Sequence, residues 1–270
     1  MSAKRLLAPG RGVRRDRRGD AGVSPQVCLR RRPNLYGCRV PTLLSRLLDG
    51  LKTQFYWLRR QVALLIFERR HGIKTSAEIS LEELGLAHPD RLHYRPSEWR
   101  TLRRILRTDE VGPGDVFVDF GSGMGRVLLE AAEYPFGRVI GVELSQELND
   151  IASRNVERRL PHLRCKRVEV VTADVVDYPI PDDLTVVYLA NPFGGEIFSA
   201  VVDNLISSFD RRPREIRIIY NYVREEARLL GTGRVRKVRR GRRFLRRWSR
   251  TDELAMYVIV PADQGPRVSA

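Results

Sequence analysis

Residues 115–130 read DVFVDFGSGMGRVLLE. A run of apolar, β-prone residues ends in the acid Asp119, glycines follow at alternate positions (Gly121, Gly123, Gly125), and a helix-forming apolar pattern then begins. Glycine turns the chain sharply and lets backbone approach a ligand with no Cβ in the way. The helix that follows presents its free N–H groups at the same place. The stretch therefore predicts a strand, a tight ligand-binding turn and a helix.

The pattern repeats downstream. RVIGVE, VEVVTAD, LTVVYLAN and EIRIIYNYV read as strands, with helices predicted over Met124–Glu133, Ser145–Leu160 and Gly195–Phe209. The early strands are near-continuous Val/Ile runs, as strands covered on both faces must be. Strand–helix alternation of this kind predicts a doubly wound, Rossmann-like α/β fold with a mostly parallel sheet. GRVRKVRRG and ELAMYVIV have no helix between them and read as a closing antiparallel hairpin, giving seven strands.

Upstream, leucines and aromatics at helical spacing predict a long amphipathic helix with basic flanks over 42–70. Three readings apply: a helix packed on the core domain, a membrane-surface helix making peripheral contact, or a dimer seam. A short helix is expected near Leu81–Leu84, and another over Ser97–Arg107 with Ser97 as N-cap. The domain plan is a disordered basic tail (1–40), a helical extension (41–110), the ligand-binding domain (111–262) and a disordered C-terminal tail (263–270). Low-complexity Arg/Gly content stops abruptly near Val40, so a later start that leaves out residues 1–39 is a further expectation.

The 270 residues carry a formal net charge of +16. Residues 1–40 contribute +9 and residues 234–250 contribute +10, which leaves the remaining chain slightly acidic. Such clusters suit polyanions, or else serve as a solvated tail and a charged edge that resists aggregation. The three cysteines and four histidines have no metal-site spacing, so no metal is expected and a reducing cytoplasm fits. No run reaches the ~18 apolar residues of a transmembrane span.

A nicotinamide-dinucleotide fingerprint would place its third glycine where Arg126 stands. The spacing Asp119-x-Gly121-x-Gly123-x-Gly125 instead resembles motif I of the class I S-adenosylmethionine (SAM) methyltransferases. The resemblance implies SAM as cofactor, with Asp119, Gly121, Ser122, Gly123 and Gly125 cradling it. Glu143, at the end of the second strand, would accept the ribose hydroxyls, and Asp174, after the third, the adenine amino group. Asn191-Pro192-Phe193 stands where amine-directed methyltransferases keep an Asn/Asp-Pro-Pro-aromatic motif, although the second proline is missing here. An Asn side-chain oxygen can orient an amine lone pair, and Phe193 can supply an apolar or π wall.

Residues 92–210 are also similar to the non-SET histone lysine methyltransferase family, which implies that Tyr94 lines the pocket. The expected function is methyl transfer to an unidentified acceptor, with an amine nitrogen favoured. The alternative is a non-catalytic, methyltransferase-like nucleic-acid-binding protein. Residues 234–250, with Phe244 and Trp248, would then guide a polyanion.

Overall fold

The computed structural model describes residues 96–241 and 253–264 continuously, together with 65–76 and scattered residues between 54 and 91. The expected tail 1–40, Tyr94, Phe244, Trp248 and most of the expected 81–84 helix lie outside the described residues.

Seven strands form one sheet: β1 (Val116–Phe120), β2 (Arg138–Glu143), β3 (Val168–Thr172), β4 (Leu184–Leu189), β5 (Arg217–Asn221), β6 (Val235–Arg240) and β7 (Leu254–Ile259). Their spatial order is β3-β2-β1-β4-β5-β7-β6. β1 to β5 pair in parallel, whereas β7 runs antiparallel to both β5 and β6. The expected hairpin is present, but its second strand enters the sheet and leaves β6 at the edge. Four α-helices connect these strands: α1 (Arg126–Ala131), α2 (Gln146–Arg159), α3 (Gly195–Arg211) and α4 (Glu226–Gly231).

Alternation along each strand divides the core. Val116, Val118 and Phe120 of β1 join Phe198, Val201, Val202 and Leu205 of α3 on one face. Phe117 turns to the other face, among Val127 and Leu128 of α1, Val156 of α2 and Tyr188 of β4. Asp119 shares the parity of Phe117 and pairs in register with Tyr188. It therefore belongs to the face covered by α1 and α2.

The helix expected over Ser97–Arg107 is absent. Only a 3-10 turn forms, at Leu102–Arg104. Arg100 is left-handed (φ 64°), which a continuous α-helix does not allow. The Ser97 hydroxyl caps no helix and instead accepts a hydrogen bond from the Tyr188 hydroxyl (3.0 Å). The Glu130 side chain reaches over from α1 to accept from the Leu102 amide (2.9 Å). Among the described residues, no helix is long and apolar enough to cross a membrane.

Much of the basic stretch 234–240 is already paired. Arg239 holds both carboxylate oxygens of Glu110 (2.9 and 2.7 Å), and Lys237 contacts Glu226 (2.7 Å) and Glu253 (2.6 Å). Cationic side chains and a register shift at Val238 on this edge strand are what shields an open sheet edge from further pairing.

Candidate active site

Strand order reverses between β1 and β4, and ligands of doubly wound sheets bind beyond the carboxyl ends of the strands at such a point. Asp119, the glycine loop, Glu143, Asp174 and Asn191 all lie there.

The loop geometry explains its glycines. Gly121, Gly123 and Gly125 all have positive φ (77°, 53° and 80°). A Cβ on Gly121 would stand 2.5 Å from the Pro192 Cβ, so the loops after β1 and β4 touch at this glycine. Gly125 at φ 80° is also the N-cap of α1, which is why the helix starts at Arg126 rather than at the expected Met124.

Asp119 is 2% exposed and makes no hydrogen bond through its carboxyl group among the described residues. Burial, reinforced by the nearby Glu143 charge, raises its pKa well above the usual carboxylate range. Glu143 is also buried. Its Oε2 accepts from the Gly123 amide (2.9 Å) and its Oε1 from the Ser145 amide (3.0 Å). Burial raises its pKa too, opposed by these amide hydrogen bonds. Ser122 Oγ is buried with no partner among the described residues. Two buried carboxylates and an unsatisfied hydroxyl beside a glycine turn form a site that favours a ligand carrying positive charge and hydroxyl donors.

Asp174 follows β3. Its Oδ1 accepts from the Val176 amide (3.1 Å) and its Oδ2 from the Arg91 guanidinium (2.6 Å). Arg91 also forms an antiparallel bridge to Phe193, and the Asp90 carbonyl accepts from the Gly194 amide (2.8 Å). The N-terminal segment thus crosses the ends of β3 and β4.

Asn191 is buried, with φ 55°, an uncommon conformation for a residue with a side chain. Its Oδ1 accepts a hydrogen bond from the Tyr220 hydroxyl (3.1 Å), and that hydroxyl accepts in turn from the Arg224 and Glu225 amides (3.4 and 3.3 Å). Phe193 is only 4% exposed and packs on Phe198 (centroids 6.5 Å apart), in the core. Tyr222, just after β5, is also left-handed (φ 58°). The sequence brings Asp119, the glycine loop, Glu143 and Asn191-Pro192 together as expected. Phe193 faces the core.

Sequence reasoning missed Arg126 as a structural centre. It is 3% exposed and donates to the Ser97 carbonyl (2.7 Å), the Thr75 hydroxyl (2.9 Å) and carbonyl (3.0 Å), and the Ser76 hydroxyl (2.9 Å). It also pairs with the buried Glu68 (3.5 Å) and lies over the Trp99 ring. The signal was present: Arg126 and Glu130 stand four residues apart in a helix whose other residues are apolar, which requires buried partners for both.

The sequence profile of the family described as "Methyltransferase domain" matches residues 117–209. Ribosomal RNA small subunit methyltransferase A of Streptomyces griseus is 39% identical over 79 residues, covering 28% of this chain and 25% of that protein. The H3 lysine-79 specific histone-lysine N-methyltransferase of Dictyostelium discoideum is 39% identical over 64 residues, 24% of this chain and 4% of that protein. A protein-lysine N-methyltransferase of Saccharolobus islandicus is 32% identical over 66 residues, 24% of this chain and 41% of that protein. Among solved structures, an RNA methyltransferase from Salinibacter ruber in complex with S-adenosyl-L-homocysteine is 21% identical, with a TM-score of 0.44, covering 64% of this chain and 97% of that one. The chain spans about a quarter of the length of the ribosomal RNA relatives it matches. The profile match falls on the strand, glycine loop and acids just described, so residues 117–209 match a methyltransferase domain.

Proposed function

We propose that this protein transfers a methyl group from SAM to an amine nitrogen, with a lysine side chain as the favoured acceptor. The observation that carries the reading is Asp119: a buried carboxylate with no hydrogen bond among the described residues, two residues before a glycine loop whose Gly123 amide donates to Glu143. When bound, SAM supplies an electrophilic methyl on a sulfonium and a cationic amino group.

The chain's own residues would bind, orient and desolvate. Asp119 provides the counter-charge, Glu143 accepts the ribose hydroxyls, and Ser122 and the loop amides complete the cradle. Asp174, steadied by Arg91, faces the adenine. The second lone pair of Asn191 Oδ1 accepts a hydrogen of the neutral acceptor amine, and Tyr220 fixes that oxygen in place. Pro192 and the loop it touches exclude water. Phe193, buried against Phe198, offers no open face for stacking, which supports a flexible aliphatic amine over a planar base. The RNA-directed names among the relatives keep a base amine as the second reading.

The test is calorimetric titration of SAM into the full chain, Asp119→Ala and Glu143→Ala, in buffers of different ionisation enthalpy. Both carboxyls have raised pKa values without ligand, so a bound cation lowers them, and binding releases protons and tightens as pH rises through their free-protein values. Micromolar binding with proton release, lost in both variants, is expected. Folded wild-type protein that fails to bind, or an Asp119→Ala variant that binds undiminished, would refute the assignment. Tritium-methyl labelling of extract, divided into protein and RNA, then separates lysine from base.

A further inference from the structure

The described residues of the segment that leads into the domain, 54, 55, 58, 62 and 65–71, are helical and present two faces. Phe67 packs edge-on to Trp99 (4.9 Å), and Glu68 is buried beneath Arg126, where it also accepts from the hydroxyls of Thr75 (2.6 Å) and Ser76 (2.6 Å). These residues fasten the helix to the body. Leu58, Val62, Leu65 and Ile66 point away, 55%, 46%, 51% and 62% exposed. At 3.6 residues per turn they fall within an arc of about 100°, opposite the fastened face. The other large apolar side chain exposed among the described residues is Val238, on the β6 edge. An apolar stripe of this size on an ordered helix marks a binding surface.

Charge says what covers it. Residues 52–70 contain Lys52, Arg59, Arg60, Arg69 and Arg70 against one acid, Glu68, which is buried and paired with Arg126. The exposed Arg69 and Arg70 continue into Lys74 and, on α2, Arg154 and Arg158; Arg158 donates to the Gly72 carbonyl. Glu147 and Asp150 are the acids that share the groove lined by Lys74, Arg154 and Arg158. A second copy of this helix laid on the stripe would set basic residues against basic residues. A layer of lipid phosphates over an apolar interior matches both features: the stripe enters the acyl boundary and the cations meet the headgroups.

We propose that this face docks the protein on an anionic lipid surface, with the helix lying in the interface. The docking surface is separate from the methyl-transfer reading, and its test needs no activity. The full chain is floated with vesicles of phosphatidylcholine alone, or of equal parts phosphatidylcholine and phosphatidylglycerol. Flotation is expected with the second and not the first. Leu58→Asp combined with Ile66→Asp lowers the partition coefficient at least about tenfold, with melting unchanged because both sites are exposed. Val62→Ser, a milder change on the same stripe, lowers it by about threefold, and Val238→Asp leaves it as it was.

Three results would overturn the proposal. One is wild-type protein that does not float with anionic vesicles. Another is undiminished flotation of the double variant, which would assign binding to the basic segments alone. The last is a wild-type dimer that the double variant converts to monomer, which would show that a second copy covers the face.

Discussion

Glu130→Gln is expected to stabilise the protein at alkaline pH and to change its pH dependence. Glu130 is 2% exposed on α1. Its Oε1 accepts from the Leu102 and Arg103 amides (2.9 and 3.4 Å), while its Oε2 is buried without a partner among the described residues. Burial pushes its pKa from 4.5 up to about 7, against the opposing pull of the two amide hydrogen bonds. The folded carboxyl therefore holds its proton more tightly than the unfolded one. Its protonated form is tolerated below pH 4.5, and stability falls as pH rises from there through about 7. The gap corresponds to about 3 kcal/mol when the group is fully ionised. Glutamine keeps the acceptor for Leu102 and Arg103 and never ionises. Its extra N–H at the Oε2 position adds a cost that does not depend on pH. Asp119 and Glu143 titrate in the same direction in both proteins and cancel in the difference. Denaturant unfolding of the two proteins from about pH 5 to about pH 8 should show the difference shifting in favour of the variant by about 2–3 kcal/mol. Parallel curves across that range would mean that Glu130 is hydrated or paired, and the burial argument would fail.

Gly121→Ala places a methyl 2.5 Å from the Pro192 Cβ at a φ of 77°; a loss of about 1–3 kcal/mol and of SAM binding is expected, whereas Gly114→Ala, with open space around it, is near neutral in the same unfolding and titration assays. Arg126→Met leaves Glu68 buried without its cation and should cost about 3–5 kcal/mol, with faster amide exchange over 68–76; adding Glu68→Gln should return part of that, and strict additivity of the two changes would refute the pairing.

What the sequence made legible was local. Apolar runs, glycine positions and an acid at a strand end each act within a few residues, so β1, the loop and Glu143 could be placed from the text alone. Features that depend on distant partners could not. Nothing in ELAMYVIV says that it will pair with β5 as well as β6, because both neighbours are chosen by the assembled sheet. The 97–107 segment has helical spacing, yet Arg100 adopts a left-handed turn and Glu130, 28 residues from Leu102, takes the amide that a helix would have used. The Tyr220–Asn191 contact spans 29 residues and the Arg91–Asp174 pair spans 83, with no periodicity to announce them. Phe193 was legible as an aromatic after the fourth strand, but its burial against Phe198 is decided by α3 packing.

The insertion of β7 between β5 and β6 has a consequence for synthesis. β5 carries Tyr220 and borders β4, the strand that leads to Asn191, yet one of its edges stays open until Leu254–Ile259 arrives. On the ribosome, β1 to β3 with the glycine loop emerge first, while the β5 side of the sheet waits for the last strand to leave the exit tunnel. A nascent chain halted before residue 254 would display an unpaired apolar strand edge, open to chaperones and to its neighbours on the same polysome.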